Sequence, residues 1–209
     1  MNRKCLILVA IAGSVLLCHP APGLATSELG SAQSFAVLGH ETVTNVHTDP
    51  NPATQIYGDL GVTPKTSVTG FCPGGTVSGG TIHINDGVAQ LALADATTAY
   101  TTLGGLAFTT HYLVPTDLGG LTLTPGVYRF DSSAQLTGAL TLDFQGDADA
   151  AFIFQIGSTL TTASSSSVNV INGGSLSGVY WQVGSSATLC SDTTFAGNIL
   201  ALASVSLDP

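Results

Sequence analysis

Positive charge is nearly missing from this chain. Four Lys and Arg stand against thirteen Asp and Glu in 209 residues, for a formal net charge of -9, and only 8% of residues are charged at all. Nucleic acids and anionic membranes attract basic patches, so such a surface suits neither as a partner. Chemistry-bearing clusters are missing too. There is no G-x-S-x-G elbow, phosphate-binding loop or paired-Cys zinc motif, and no N-x-S/T acceptor. A polysaccharide hydrolase or lyase needs grouped acids, often with Lys or Arg beside them. Here the acids are dispersed over loops. Asp143, Asp147 and Asp149 form the densest group, which reads either as oxygen ligands for calcium or as a solvated turn. His47, His83 and His111 lack metal-site spacing, and no nucleophile accompanies His40-Glu41. No catalytic residue, metal site or cofactor is therefore assigned.

Long apolar runs are absent except at the start. Arg3 and Lys4 precede the apolar stretch Cys5–Leu17, and Gly23-Leu24-Ala25 places small residues where a signal peptidase reads. The stretch is short for a membrane span. The expectation is a signal peptide over 1–25, a mature chain over 26–209, and secretion to the extracellular space. Cleavage would leave Lys65 and Arg129 as the remaining cations, and Cys72 and Cys190 as the remaining cysteines. One disulfide between that pair is possible in an oxidising compartment, but a single distant pair leaves the pairing open.

What is abundant is apolar residue, at 44%, set among Thr, Ser, Gly and Ala. Low charge with that content argues for one folded domain with a sizeable core. Phe152, Phe154 and Ile156 alternate with Ile153 and Gln155, the period of a half-buried strand, and a Gly157-Ser158 corner leads to Thr159-Leu160-Thr161. Similar blocks recur at Val127–Thr137 and Val179–Asp192, and Ala196–Leu207 supplies a further coil. A repeat of about 25 residues with variable corners reads as a solenoid. Phe35–Leu38, Glu41–Asn45, Gly58–Val62 and Leu121–Thr124 read as short strands, and Gly70–Gly80 as a glycine-rich connection. One helix is expected over about 85–103, capped by Asn85 or Asp86, with Val88, Leu91, Ala92, Ala96, Ala99 and Leu103 on its buried stripe. The chain stops at Asp208-Pro209 without a visible polar cap, the pattern of a longer chain truncated at its C-terminus.

Aligning the coils on Leu136, Leu160, Leu189 and Leu207 sets two outward columns. One runs Gln135, Thr159, Thr188 and Ser206, and the other runs Thr137, Thr161, Cys190 and Asp208. Tyr128, Phe154 and Trp181 form an inward aromatic column. A neighbouring face offers Thr141 and Asn169. Threonine on a pleat presents a methyl that orders water without bonding it and a hydroxyl that anchors water at a fixed point. A rigid, uncharged grid of this kind suits a water lattice, although Thr is also common on sheets because it packs well there.

The motifs SFAVL (34–38), TVTN (42–45), GDLGV (58–62), GGTIH (79–83), TAY (98–100), DLGGLTLTPGVYRF (117–130), FIFQIGS (152–158), WQVGS (181–185) and FAGNILAL (195–202), in this order, resemble the microbial ice-binding proteins of the DUF3494 type. The resemblance spans nearly all of the mature chain. It implies an all-β solenoid: a right-handed, discontinuous β-helix of triangular section with one long α-helix packed alongside, the N-terminal strands returning to complete the stack. It also implies a non-enzymatic antifreeze protein whose partner is the ice crystal surface, giving thermal hysteresis and inhibition of recrystallisation. Of the Thr-Ala/Gly-x-Thr/Asn motif found in some members, Thr162-Ala163-Ser164-Ser165 matches only the first half. The expected ice-binding residues are Gln135, Thr137, Thr159, Thr161, Thr188 and Ser206, carried by a monomer without cofactors. The alternative is an extracellular adhesin or glycan-binding module on the same scaffold.

Overall fold

The computed structural model describes residues 8–10, 28–45, 54–71, 75–173 and 178–207. Strand β1 (Leu8–Ala10) is followed by a 3-10 turn at Gly30–Ser34 and by β2 (Phe35–Gly39) and β3 (Thr42–Thr44). Then come β4 (Thr54–Tyr57), β5 (Asp59–Val62), β6 (Ser67–Thr69), β7 (Gly75–Ser78) and β8 (Ile82–Ile84). Their parallel pairings, β2-β5-β8, β3-β6 and β4-β7, build a small three-sided stack. The glycine-rich connection expected over 70–80 thus contains a strand, because β7 finds a partner in β4.

Helix α1 (Gly87–Gly105) starts where Asp86 caps it, its carboxylate accepting from Ala89 N–H at 2.9 Å. Its buried face is Ala89, Ala92, Ala96, Ala99 and Leu103. Val88 and Leu91, expected on that stripe, are exposed. Each lies one residue away from the alanine line, a rotation of about 100° around the helix. The Thr97, Thr98 and Thr101 hydroxyls donate back to carbonyls four residues earlier, so the outer face satisfies itself.

After α1 the chain winds through β9 (Thr110–Tyr112), β10 (Thr116–Asp117), β11 (Thr122–Leu123), β12 (Gly126–Phe130), β13 (Ala134–Leu136) and β14 (Ala139–Asp143). It continues through β15 (Phe152–Ile156), β16 (Leu160–Thr162), β17 (Ser167–Ile171), β18 (Val179–Val183), β19 (Ser186–Leu189), β20 (Asn198–Ala201) and β21 (Ser204–Leu207). Each turn of the solenoid contributes to three parallel sheets. The first is six-stranded, β1-β20-β18-β15-β12-β9; the second is five-stranded, β10-β13-β16-β19-β21; the third is three-stranded, β11-β14-β17. The third sheet is narrow because the chain between β19 and β20 makes only one bridge to it, Ser167 to Thr194.

The core follows the inward period of the strands. Tyr128, Phe154 and Trp181 stack in register through β12, β15 and β18, with Phe154 and Trp181 ring centroids 3.9 Å apart and the rings nearly parallel. Trp181 Nε1 donates to the Ala196 carbonyl at 3.0 Å, which satisfies its one polar atom inside the core. Asp131, Gly157 and Gly184 stack at the corner after the first sheet. A Cβ on Gly184 would lie 2.5 Å from the Gly157 carbonyl oxygen, so the close stacking demands glycine there.

Helix α1 covers the outer side of the six-stranded sheet. Ile153, Tyr180 and Leu200 point outward from that sheet into the alanine face, together with Leu29, Phe35 and Leu38 from the N-terminal segment. Strand β15, expected to be half-buried, is consequently buried at all five positions. Ser31 ties the segment to the helix, its N–H and hydroxyl both donating to Asp95 Oδ2 at 2.8 and 2.6 Å. At the far edge of the sheet, β1 pairs with β20, Leu8 opposite Ile199. That strand belongs to the stretch read above as a signal peptide.

Candidate functional site

With the first sheet covered and the third narrow, the widest bare surface is the five-stranded sheet. Its strands alternate buried and outward residues: Ala134 and Leu136 are buried around exposed Gln135, and Leu160 and Thr162 around exposed Thr161. The backbone register places Asp117, Gln135, Thr161, Thr188 and Ser206 in one straight outward column. Adjacent members are separated by the strand spacing of about 4.7–4.9 Å.

This register differs from the one expected. Alignment on leucines paired Leu160 with Leu136 and Leu189, whereas Leu160 lies between Ala134 and Ala187. The slip is two residues, so inward residues stay inward and the columns change. Four expected residues, Gln135, Thr161, Thr188 and Ser206, therefore share one column instead of two. Thr159 moves to a flanking column with Ser133, Ser186 and Ser204; its hydroxyl donates to Ser133 Oγ at 2.9 Å, and Ser204 Oγ donates to Ser186 Oγ at 3.0 Å. The packing reason is complementary volume. Leu fills the first inward position in β16 where its neighbours have Ala, and Thr162 takes the second where they have Leu.

Ser133, Ser186 and Ser204 were missed by sequence reasoning. The signal for them is a recurring triplet of hydroxyl, apolar and polar residues: Ser133-Ala134-Gln135, Thr159-Leu160-Thr161, Ser186-Ala187-Thr188 and Ser204-Val205-Ser206. Aligning on that triplet reproduces the observed register.

The opposite flank is less regular. Thr137 is exposed, but its hydroxyl donates to Asp117 Oδ2 and its N–H to Asp117 Oδ1, which also accepts from Gly119 N–H. Partial burial alone would raise the Asp117 pKa; the bonds from Thr137 and Gly119 outweigh it and hold the carboxyl below its usual value. Asp117 thus stays charged at the first edge of the column, and Thr137 is committed to it. Beyond Thr137 this flank continues with Ala163 and Cys190. Cys72 lies outside the described residues, so the Cys72–Cys190 pair does too, as does Asp208.

Between the second and third sheets the corner is a knot of hydroxyls. Thr162 is fully buried; its Oγ1 accepts from Cys190 N–H at 2.9 Å and lies 3.0 Å from Thr193 Oγ1. Ser166 Oγ donates to the Ala163 carbonyl at 2.7 Å. These bonds hold β16 against β19 where the regular ladder ends.

The third sheet presents Thr122, Thr141 and Asn169 in register, flanked by Asp143 and Ile171. It mixes a carboxylate and an exposed Ile with hydroxyls over three strands only. Asp143 Oδ1 accepts from Gln145 N–H and Asn172 Nδ2, and Asp147 Oδ1 from Asp149 N–H. The densest acidic group is thus arranged as turn-stabilising bonds.

The fold and this face define a class: a three-sided parallel β-solenoid with a helix along one side and, on its widest bare side, a hydroxyl-rich grid whose one carboxylate, Asp117, sits at the edge. Residues 37–209 match the model of the Ice-binding-like family, and the chain belongs to that family. It is 51% identical over 207 residues to the ice-binding protein of Nostoc sp. (strain HG1), covering 99% of this chain and 74% of that one. It is 32% identical to the ice-binding protein of Flammulina populicola, over 91% of this chain and 79% of the relative. Among solved structures, the ice-binding protein of the Antarctic ascomycete Antarctomyces psychrotrophicus superposes with a TM-score of 0.79 at 38% identity, over 90% of this chain and 96% of that chain.

Proposed function

We propose that the chain is an exported antifreeze protein that adsorbs to ice through its five-stranded sheet, with Gln135, Thr161, Thr188 and Ser206 as the central row. The observation that carries this reading is that single straight column, flanked by Ser133, Thr159, Ser186 and Ser204, on the widest face left uncovered by α1. Outward residues repeat at about 6.6–7 Å along a strand and about 4.7–4.9 Å between coils, a fixed two-dimensional grid. Methyl groups order first-shell water and hydroxyls pin it, so the face carries a patch of water that merges with a growing ice surface. Charges would keep their own hydration shells; the one carboxylate of the row, Asp117, sits at its edge.

An adsorbed protein forces ice to grow between the pinned points, which depresses growth and slows recrystallisation. One copy presents the whole row, so a monomer is sufficient, and no catalytic step is invoked. The basic start, apolar run and Gly23-Leu24-Ala25 site support export of the chain from residue 26. Ice-affinity partition of the purified chain tests the reading: it should concentrate in the ice fraction and give faceted crystals. Exclusion from ice with the fold intact would sink it.

A further inference from the structure

A second concave feature lies on the other side of the solenoid, where the C-terminal half of α1 meets the six-stranded sheet. His111, Arg129, Gln155 and Gln182 form an outward polar column there, in register through β9, β12, β15 and β18. The helix covers only part of this column. What remains is a cleft of about 430 Å³ whose lining includes Tyr100, Gly104, Arg129, Asp131, Gln155, Gln182 and Leu202. Pockets for small ligands fall in that range of size.

Gln155 is the informative residue. It is 5% exposed, and its Nε2 donates to the Leu103 and Leu106 carbonyls at 2.7 and 2.9 Å, sealing the end of the helix. Those two bonds leave no freedom to exchange the amide's nitrogen and oxygen. Oε1 is then turned away from the helix end, and it has no hydrogen-bond partner among the described residues. A buried acceptor without a donor is costly; Oε1 is closed to solvent, so a donor that enters from the cleft and spreads the wall around Gln155 would relieve that cost.

The charge of the cleft narrows the donor. Arg129 Nε donates to Asp131 Oδ1 at 3.3 Å, and His111 Nε2 lies 2.8 Å from the same oxygen. The one guanidinium and the one carboxylate neutralise each other, which favours neither a bare anion nor a bare cation. Arg129 keeps further N–H donors beyond Nε, and Gln182 contributes a carboxamide that already meets the Tyr100 hydroxyl and keeps spare hydrogen-bonding capacity. Burial raises the Tyr100 pKa, so that group remains a neutral hydroxyl. The cleft thus asks for a neutral ligand that donates to Gln155 and accepts from Arg129 or Gln182. A hydroxyl does both, and neighbouring hydroxyls on one carbon chain do so together.

We infer that this cleft binds a neutral polyhydroxylated unit, a hexose ring or short polyol, independently of the ice-binding face. The test is an amide-resolved NMR titration of the full chain with glucose and with sorbitol, and with glucuronate and glucosamine as charged counterparts. The expected result is saturable shifts of the Gln155 and Gln182 side-chain NH2 signals with the neutral probes. Gln182→Leu should weaken binding at least tenfold, and Leu202→Trp, which adds bulk to the lining of the cleft, should abolish it while ice partition stays unchanged. Absence of a saturable shift with either neutral probe, or an equal or stronger response to a charged one, would overturn the inference. So would unchanged neutral-probe shifts in both folded variants.

Discussion

Thr161 stands directly beside Thr188 on the next coil, and Gln135 and Ser206 extend the same line on either side. Thr159, two residues earlier, instead points its hydroxyl at Ser133 on the flank. The row proposed to meet ice is therefore one strand position, repeated coil after coil, with a second position beside it.

Replacing Thr161 or Thr188 with Tyr should remove most of the thermal hysteresis, because a bulky ring in the central row lifts ordered water off the grid. Thr159→Tyr should cost less, since it disturbs only the flank. Surface changes of this kind usually shift stability by no more than about 0.5 kcal/mol, so melting curves should coincide with the parent. A Thr159 variant as inactive as the Thr161 variant would contradict the register argument.

Thr141→Tyr places the same ring on the three-stranded sheet. Ice activity should persist at the parental level in nanolitre osmometry. Loss of activity here would move the site to the narrower face.

Thr162→Val preserves shape but removes the acceptor for Cys190 N–H and the contact with Thr193. Cys190 is only partly buried, so the cost should be that of an ordinary lost hydrogen bond, about 0.5–1.5 kcal/mol, measurable by urea unfolding. A loss of stability at that site should precede any loss of ice affinity.

Gln155→Leu strips both the Leu103 and Leu106 carbonyls of their shared donor. Removing Oε1 at the same time relieves one unsatisfied atom, so the net destabilisation should sit near the low end of about 1–3 kcal/mol. Amide exchange should rise first in the last turn of α1.

Asp95 supplies an acid-dependent contribution. The Ser31 hydroxyl and then the Ser31 N–H hold its carboxyl below the usual value. A folded-state pKa below the unfolded one gives stability that is complete above the unfolded value, about 3.9, and is lost as pH falls through the folded value. Unfolding free energy should thus decline below about pH 4, and Asp95→Asn should flatten the profile in that window. An identical pH slope in the variant would exclude this tether as a source.

Much of the scaffold was legible in residue order. Alternation placed Phe152, Phe154 and Ile156 inward, and the Tyr128, Phe154 and Trp181 column stacks as expected. The helix was recognisable from its cap and its alanines, with bounds displaced by two residues. Two features were not legible. Val88 and Leu91 looked buried because they are apolar, yet burial on a helix follows the direction in which a neighbour lies. Gln155 looked like the wet side of a half-buried strand, and the helix laid over that strand made it a buried cap.

The hydroxyl row marks the boundary between these two kinds of information. Residue order alone determines that Thr161, Thr188, Gln135 and Ser206 face outward, because a strand's period of two leaves them no other side once their apolar neighbours are buried. Which of them stand together was settled by packing between coils. A slip of one residue would expose the core and is forbidden, whereas a slip of two keeps every residue on its side and costs only a mismatch of volumes. That mismatch is resolved in three dimensions, where Leu160 fills the space between Ala134 and Ala187 and Thr162 bonds across to Cys190. The row exists because the core chose its register.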